Sequence, residues 1–235
     1  MAGKKEASLQ GLGGVRAAGC SARQAGTTII PVNGVDVNMA RLEAQGHVFR
    51  VRMPSSARGG GKRGRVCGFS RASRKRLLEL LGRLEPRGVV VFVTLTYPAS
   101  YPDAHVAKRQ LFSFLKRLAR RWPGVSAVWR LEFQERGAPH FHILLFGLPF
   151  VPKGLIQKWW GEVIGCDRPF TRIEAVRSWR GVLGYAAKYM AKVASGLDYV
   201  TYLSAVGRLW GVWCRAMLPW AAAVRVVARL GPWFW

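Results

Sequence analysis

From residue 89 onward, stretches with a two-residue apolar rhythm alternate with stretches of helical rhythm. Val89 to Tyr97 is an almost unbroken run of β-formers closed by Pro98, which reads as a central strand. Asp103 then stands as an N-cap for a helix over 104–121, with Leu111, Phe112, Leu115 and Leu118 inward and Lys108, Lys116, Arg117 and Arg120 outward. In Trp129–Gly147 strict alternation returns. Trp129, Leu131 and Phe133 share one face, Arg130, Glu132 and Gln134 the other, and Glu135–Pro139 supplies a turn with Gly137 suited to positive φ. A helix over about 153–164, a strand over 171–176 and a helix capped by Ser178 and running to about Ala194 complete the series. Upstream, Ser70 caps a helix over 71–84, whose first turns carry Arg71, Arg74, Lys75 and Arg76. Basic residues there oppose the helix dipole, which fits either an external anion or a solvated face.

The order β-α-β-β-α-β plus one helix is the split βαβ of ferredoxin-like and RRM-like α+β folds. It predicts an antiparallel sheet with helices on one face and the other face left for a substrate. Residues 1–65 read as a largely disordered basic arm, apart from a short hairpin over 27–37 around Asn33-Gly34. Residues 66–214 form the domain, with 215–235 as a Trp-rich C-terminal extension. The Trp-rich end as a whole, from Trp210 through Trp213, Trp220, Trp233 and Trp235, reads either as a helix and tail over the core or as a partner surface.

Charge narrows the partner. The chain has 37 Lys and Arg against 12 Asp and Glu among 235 residues, a net charge of +25. Such an excess suits a polyanion. The stretch SSARGGGKRGR over 55–65, with Lys62 and Arg63, is a flexible basic linker. It lacks the Gly and the Ser or Thr of a phosphate-binding Walker loop. Four cysteines without paired spacing, no signal peptide and no uncharged run of membrane-spanning length predict a cytoplasmic, membrane-independent protein.

Two constellations carry chemistry. Period two sets His140 and His142 on one face of their strand, and pairing across the turn brings Glu132 opposite them. Two imidazoles and a carboxylate are a divalent-metal ligand set with positions open for substrate. The second is Gly184–Lys192, GYAAKYMAK. On a helix Tyr185 and Tyr189 share a face, as do Lys188 and Lys192, so a Tyr-x-x-Lys unit occurs twice, one turn apart. A phenol offers an oxygen nucleophile toward a phosphodiester, and an ammonium offsets the charge.

With these motifs the chain resembles the HUH endonucleases, in particular the two-tyrosine rolling-circle replication initiators of small single-stranded DNA phages and related plasmids. Phe92–Tyr97 resembles the first motif strand, Pro139–Leu145 the histidine motif with Glu132 eight residues ahead, and Tyr185–Lys192 the paired-tyrosine motif. The segment Gly207–Gly211 looks like one that follows the catalytic helix in phage members. The resemblance implies Mg²⁺ or Mn²⁺ at Glu132, His140 and His142. It also implies attack by Tyr185 or Tyr189 on single-stranded origin DNA, with or without a hairpin, leaving a 5′-phosphotyrosine and a free 3′-hydroxyl. Thr94, Thr96, Arg130, Arg208, Lys62 and Arg63 are the expected DNA contacts, and a host helicase and polymerase the expected partners. Two other readings stay open: an RRM-like nucleic-acid-binding protein without catalysis, and a transposase of the same chemistry.

Overall fold

The computed structural model describes residues 28–30, 39–52, 69–176 and 207–229, together with residues 178, 180, 182, 184 and 190. Its elements are β1 (Thr28–Ile30), β2 (Met39–Gln45), β3 (Val48–Arg52), α1 (Arg71–Gly82), β4 (Val90–Thr96), α2 (Ala104–Arg121), β5 (Ser126–Phe133), β6 (Pro139–Phe146), α3 (Lys153–Ile164), β7 (Thr171–Val176), β8 (Trp210–Trp213) and β9 (Ala223–Arg229).

A five-stranded sheet runs in the order β7-β4-β6-β5-β8, antiparallel throughout. Its first four strands, with α2 and α3, are the ferredoxin-like α+β arrangement expected from the element order. Local signals set most boundaries. Ser70 Oγ accepts from the Ser73 amide at 3.2 Å, a cap worth about 1 kcal/mol. The Asp103 carboxylate accepts from the amides of His105 and Val106 at 2.7 and 2.9 Å.

The helices α2 and α3 cover one side of the sheet. Trp160 of α3 packs edge-on against Phe141, Phe114 and Tyr97, and its indole donates to the Thr96 carbonyl at 3.1 Å. Phe112 of α2 meets Trp129 and Trp213. The approach of β8 is tight enough to require glycine: a Cβ on Gly211 would lie 2.8 Å from the Trp129 ring. Lys108 departs from its expected outward position. It is half-buried on α2 near Gly207, and burial pulls its pKa down to about 8.

The opposite side of the sheet is only partly open, contrary to the expectation that all helices share one face. Trp210 and Arg130 are directly opposed on this side, and the start of α1 reaches both. Trp210 Nε1 donates to Ser73 Oγ at 2.8 Å, and Phe69 lies 3.5 Å from the Arg130 guanidinium. The apolar side chains of α1, Leu77 and Leu81, are fully buried, so the helix needs a sheet face of its own.

A second sheet has the order β1-β9-β2-β3. It corrects two expectations. Residues 39–52 of the presumed disordered arm form a hairpin around Gly46, and the Trp-rich end supplies strands β8 and β9 where a helix was one of the readings. The two expectations fail for one reason: β2 is completed by β9, a strand about 180 residues later, which no local pattern announces. β1 likewise pairs in parallel with β9; residues 31–38, including the Asn33-Gly34 turn, lie outside the described residues. The charged side of this sheet faces α1 through Arg50–Glu79 and Arg83–Glu43 pairs, while its other side carries the exposed Phe49, Val51 and Val224.

Candidate active site

Cross-strand register builds the site. One row on the side opposite α2 and α3 reads Arg172, Thr94, His142, Arg130, Trp210 across all five strands. The next row toward the β5–β6 turn reads Thr96, His140, Glu132. The β5–β6 hairpin is closed by Gly137 N–H to the Gln134 carbonyl and Gln134 N–H to the Ala138 carbonyl, at 2.8 and 2.9 Å. Gly137 has φ +80°, as its place in the turn predicts. Arg136 in this turn donates to the carbonyls of Tyr97 and Pro98 at 2.6 and 2.7 Å. That clamp ties the exit of β4 to the hairpin and so holds the threonines beneath the histidines.

Each imidazole is held from behind. Thr96 Oγ1 is 3.0 Å from His140 Nδ1, and Thr94 Oγ1 is 3.4 Å from His142 Nδ1. The rings stand nearly perpendicular with centroids 4.7 Å apart, and Phe92 stacks on His142. His142 Nε2 lies 3.0 Å from Glu132 Oε2, and the other carboxylate oxygen is 3.4 Å from Arg130 Nη2. Burial pushes the Glu132 carboxyl up, but the hydrogen bond and charge of His142, with Arg130 and His140, outweigh it and leave the net below the usual range. Burial, then the neighbouring His142, pulls His140 down to about 4, so its imidazole is neutral at physiological pH.

The donor set suits a divalent cation in its chemistry. The Nδ1 of each ring is engaged by a hydroxyl, which leaves Nε2 for ligation, and the carboxylate is ionised. As they stand, among the described residues, no three His, Cys, Asp or Glu side chains are grouped closely enough to hold an ion. The Glu132–His142 hydrogen bond occupies both partners, and ligation by all three requires that contact to open.

The structure reassigns several expected DNA contacts. Thr94 and Thr96 are buried, at 6% and 7% exposure, with hydroxyls turned to the histidines. Arg130 is fully buried between Phe69 and Glu132 and presents no surface to a strand. Arg208 is exposed. Tyr185, Lys188, Tyr189 and Lys192, with Lys62 and Arg63, lie outside the described residues. Arg136 and Phe69 escaped the sequence reading, because a turn arginine and an aromatic before a helix carry no pattern that names their partners.

Residues 90–194 match the family model of the ORF2 type of replication-associated protein. The matched region begins at β4 and includes the histidine pair, Glu132 and both tyrosines. This similarity supports a role in initiating replication, with DNA as partner. No curated protein matches the chain. Among solved structures, the hypothetical protein ORF119 from Sulfolobus islandicus rod-shaped virus 1 is similar at 17% identity and a TM-score of 0.36, over 52% of this chain and 97% of that one. Among the described residues no helix is long and apolar enough to cross a membrane.

Proposed function

We propose that the chain is a rolling-circle replication initiator of the two-tyrosine HUH type, which nicks single-stranded origin DNA and rejoins it at termination. The observation that carries this reading is the cluster of Glu132, His140 and His142, with both Nδ1 atoms engaged by Thr96 and Thr94. It lies within the stretch that matches a replication-associated family. Glu132, His140 and His142 would hold Mg²⁺ or Mn²⁺, which supplies Lewis acidity at a scissile phosphate. Tyr185 or Tyr189 attacks phosphorus through its phenolic oxygen, and the P–O3′ bond breaks. The products are a 5′-phosphotyrosine and a strand ending in a 3′-hydroxyl for a host polymerase. Lys188 and Lys192 offset negative charge on the phosphate and phenolate. The covalent link conserves the bond energy, so rejoining by the 3′-hydroxyl needs no nucleotide. Host helicase is the expected source of strand separation.

The test is incubation with labelled single-stranded origin DNA and Mn²⁺, followed by a denaturing gel. A covalent adduct is expected from the wild type and from Tyr185→Phe and Tyr189→Phe singly, and none from the double variant. Retention of DNA without any adduct establishes instead the non-catalytic, RRM-like binding protein. An adduct that persists in the double variant overturns the tyrosine assignment.

A further inference from the structure

The edge strand β7 brings an aromatic ring to the histidine end of the sheet. Its register with β4 runs from Val176 opposite Val90 to Thr171 opposite Leu95. The ladder continues one step further, because Thr96 N–H donates to the Phe170 carbonyl at 3.2 Å. Phe170 is therefore the cross-strand partner of Thr96, and paired residues present their side chains to the same side. The row through the site thus reads Phe170, Thr96, His140, Glu132. Two strand spacings, about 10 Å, separate Phe170 from His140.

The Phe170 side chain is 69% exposed. Single exposed aromatics are common, so exposure alone decides nothing. The backbone beneath this one is unusually well held. Cys166 N–H donates to the Gly161 carbonyl at 2.9 Å, Gln157 Nε2 to the Pro169 carbonyl at 3.2 Å, and Thr96 to Phe170 itself. An apolar ring on a fixed support, facing water beside a buried cluster, is a preorganised stacking surface. Arg172, with its side chain 59% exposed, stands one row behind on the same side and adds positive charge. Phe150 provides an internal contrast. It is 75% exposed but follows the far end of β6, away from the histidines.

We propose that Phe170 is a base-stacking platform for single-stranded nucleic acid, seating a nucleotide next to the phosphate held at Glu132, His140 and His142. This deepens the proposed nickase and rests on that reading for the phosphate's position. A π-face takes any base, so the contact fixes the strand's register without selecting its sequence.

The test uses a fluorescein-labelled dT12 oligonucleotide in EDTA, with affinity read by anisotropy, and the same oligonucleotide carrying one abasic residue at each position in turn. Phe170→Ala is expected to weaken dT12 binding at least about fivefold, the lower end for one lost base stack. Phe170→Trp retains binding, and Phe150→Ala leaves it unchanged. At one abasic position the wild type falls to the affinity of Phe170→Ala, and there the substitution costs nothing more. Equal affinities for Phe170→Ala and wild type, or an equal loss in Phe150→Ala, overturn the proposal. The two readings fail separately. If the wild type forms no covalent adduct but the stacking signature appears, the nickase is wrong and the platform stands. If adduct forms and Phe170→Ala binds dT12 as wild type does, the platform is wrong and the nickase stands.

Discussion

Thr96 and His140 are directly opposed across β4 and β6, with Oγ1 3.0 Å from Nδ1. The hydroxyl fixes both the ring's orientation and the nitrogen that faces the cluster. Thr96→Val keeps the shape and removes that partner. Mn²⁺ affinity measured by calorimetry is expected to fall about 10- to 100-fold, with unchanged circular dichroism. Unaltered affinity would show that the hydroxyl does not position the ring.

Glu132 serves two buried neighbours at once, His142 and Arg130. Glu132→Ala leaves the fully buried Arg130 guanidinium without its carboxylate, a cost of about 3 kcal/mol. The melting temperature should drop by several degrees. Adding Arg130→Met should recover part of the loss, while metal affinity stays lost in both variants. Equal melting temperatures for the single and double variants would argue against the coupling.

Lys108 gives stability a pH dependence remote from the histidines. Its ammonium has a pKa near 8 in the folded chain, lowered by burial from an ordinary 10.5. Between those values the unfolded chain holds a proton that the folded chain has released, so stability rises with pH. Burial raises the Tyr97 phenol above its ordinary 10, and its opposite effect begins only above that pH. Urea denaturation from pH 7 to 10 should show this rise in the wild type and its loss in Lys108→Met. The variant should be the more stable at pH 7. Parallel curves would place the amine in water.

Removing residues 1–52 takes away β2 and β3, leaves β9 without its antiparallel neighbour and strips Glu79 of Arg50. The truncated chain is therefore expected to melt earlier and to expose its C-terminal strand to protease. An unchanged melting temperature would mean that the second sheet contributes nothing to the domain.

Local chemistry wrote much of this molecule into the sequence. The helix starts at Ser70 and Asp103 follow from side chains that cap their own backbone. The β5–β6 register follows from a short turn, so the placement of Glu132 opposite His140 is legible in the residue order alone. The doubled Tyr-x-x-Lys unit is likewise a matter of sequence spacing. What only the tertiary structure decided are pairings between segments far apart in the chain. Thr94 and Thr96 sit under the histidines because β4 pairs with β6 across an intervening helix and strand, which converts two expected DNA contacts into supports. Arg130, polar and therefore expected outside, is buried because Phe69 and Trp210 arrive from opposite ends of the domain to cover it. Period two states which residues share a face; which face meets water depends on what packs there, and that is settled by contacts a local pattern does not contain.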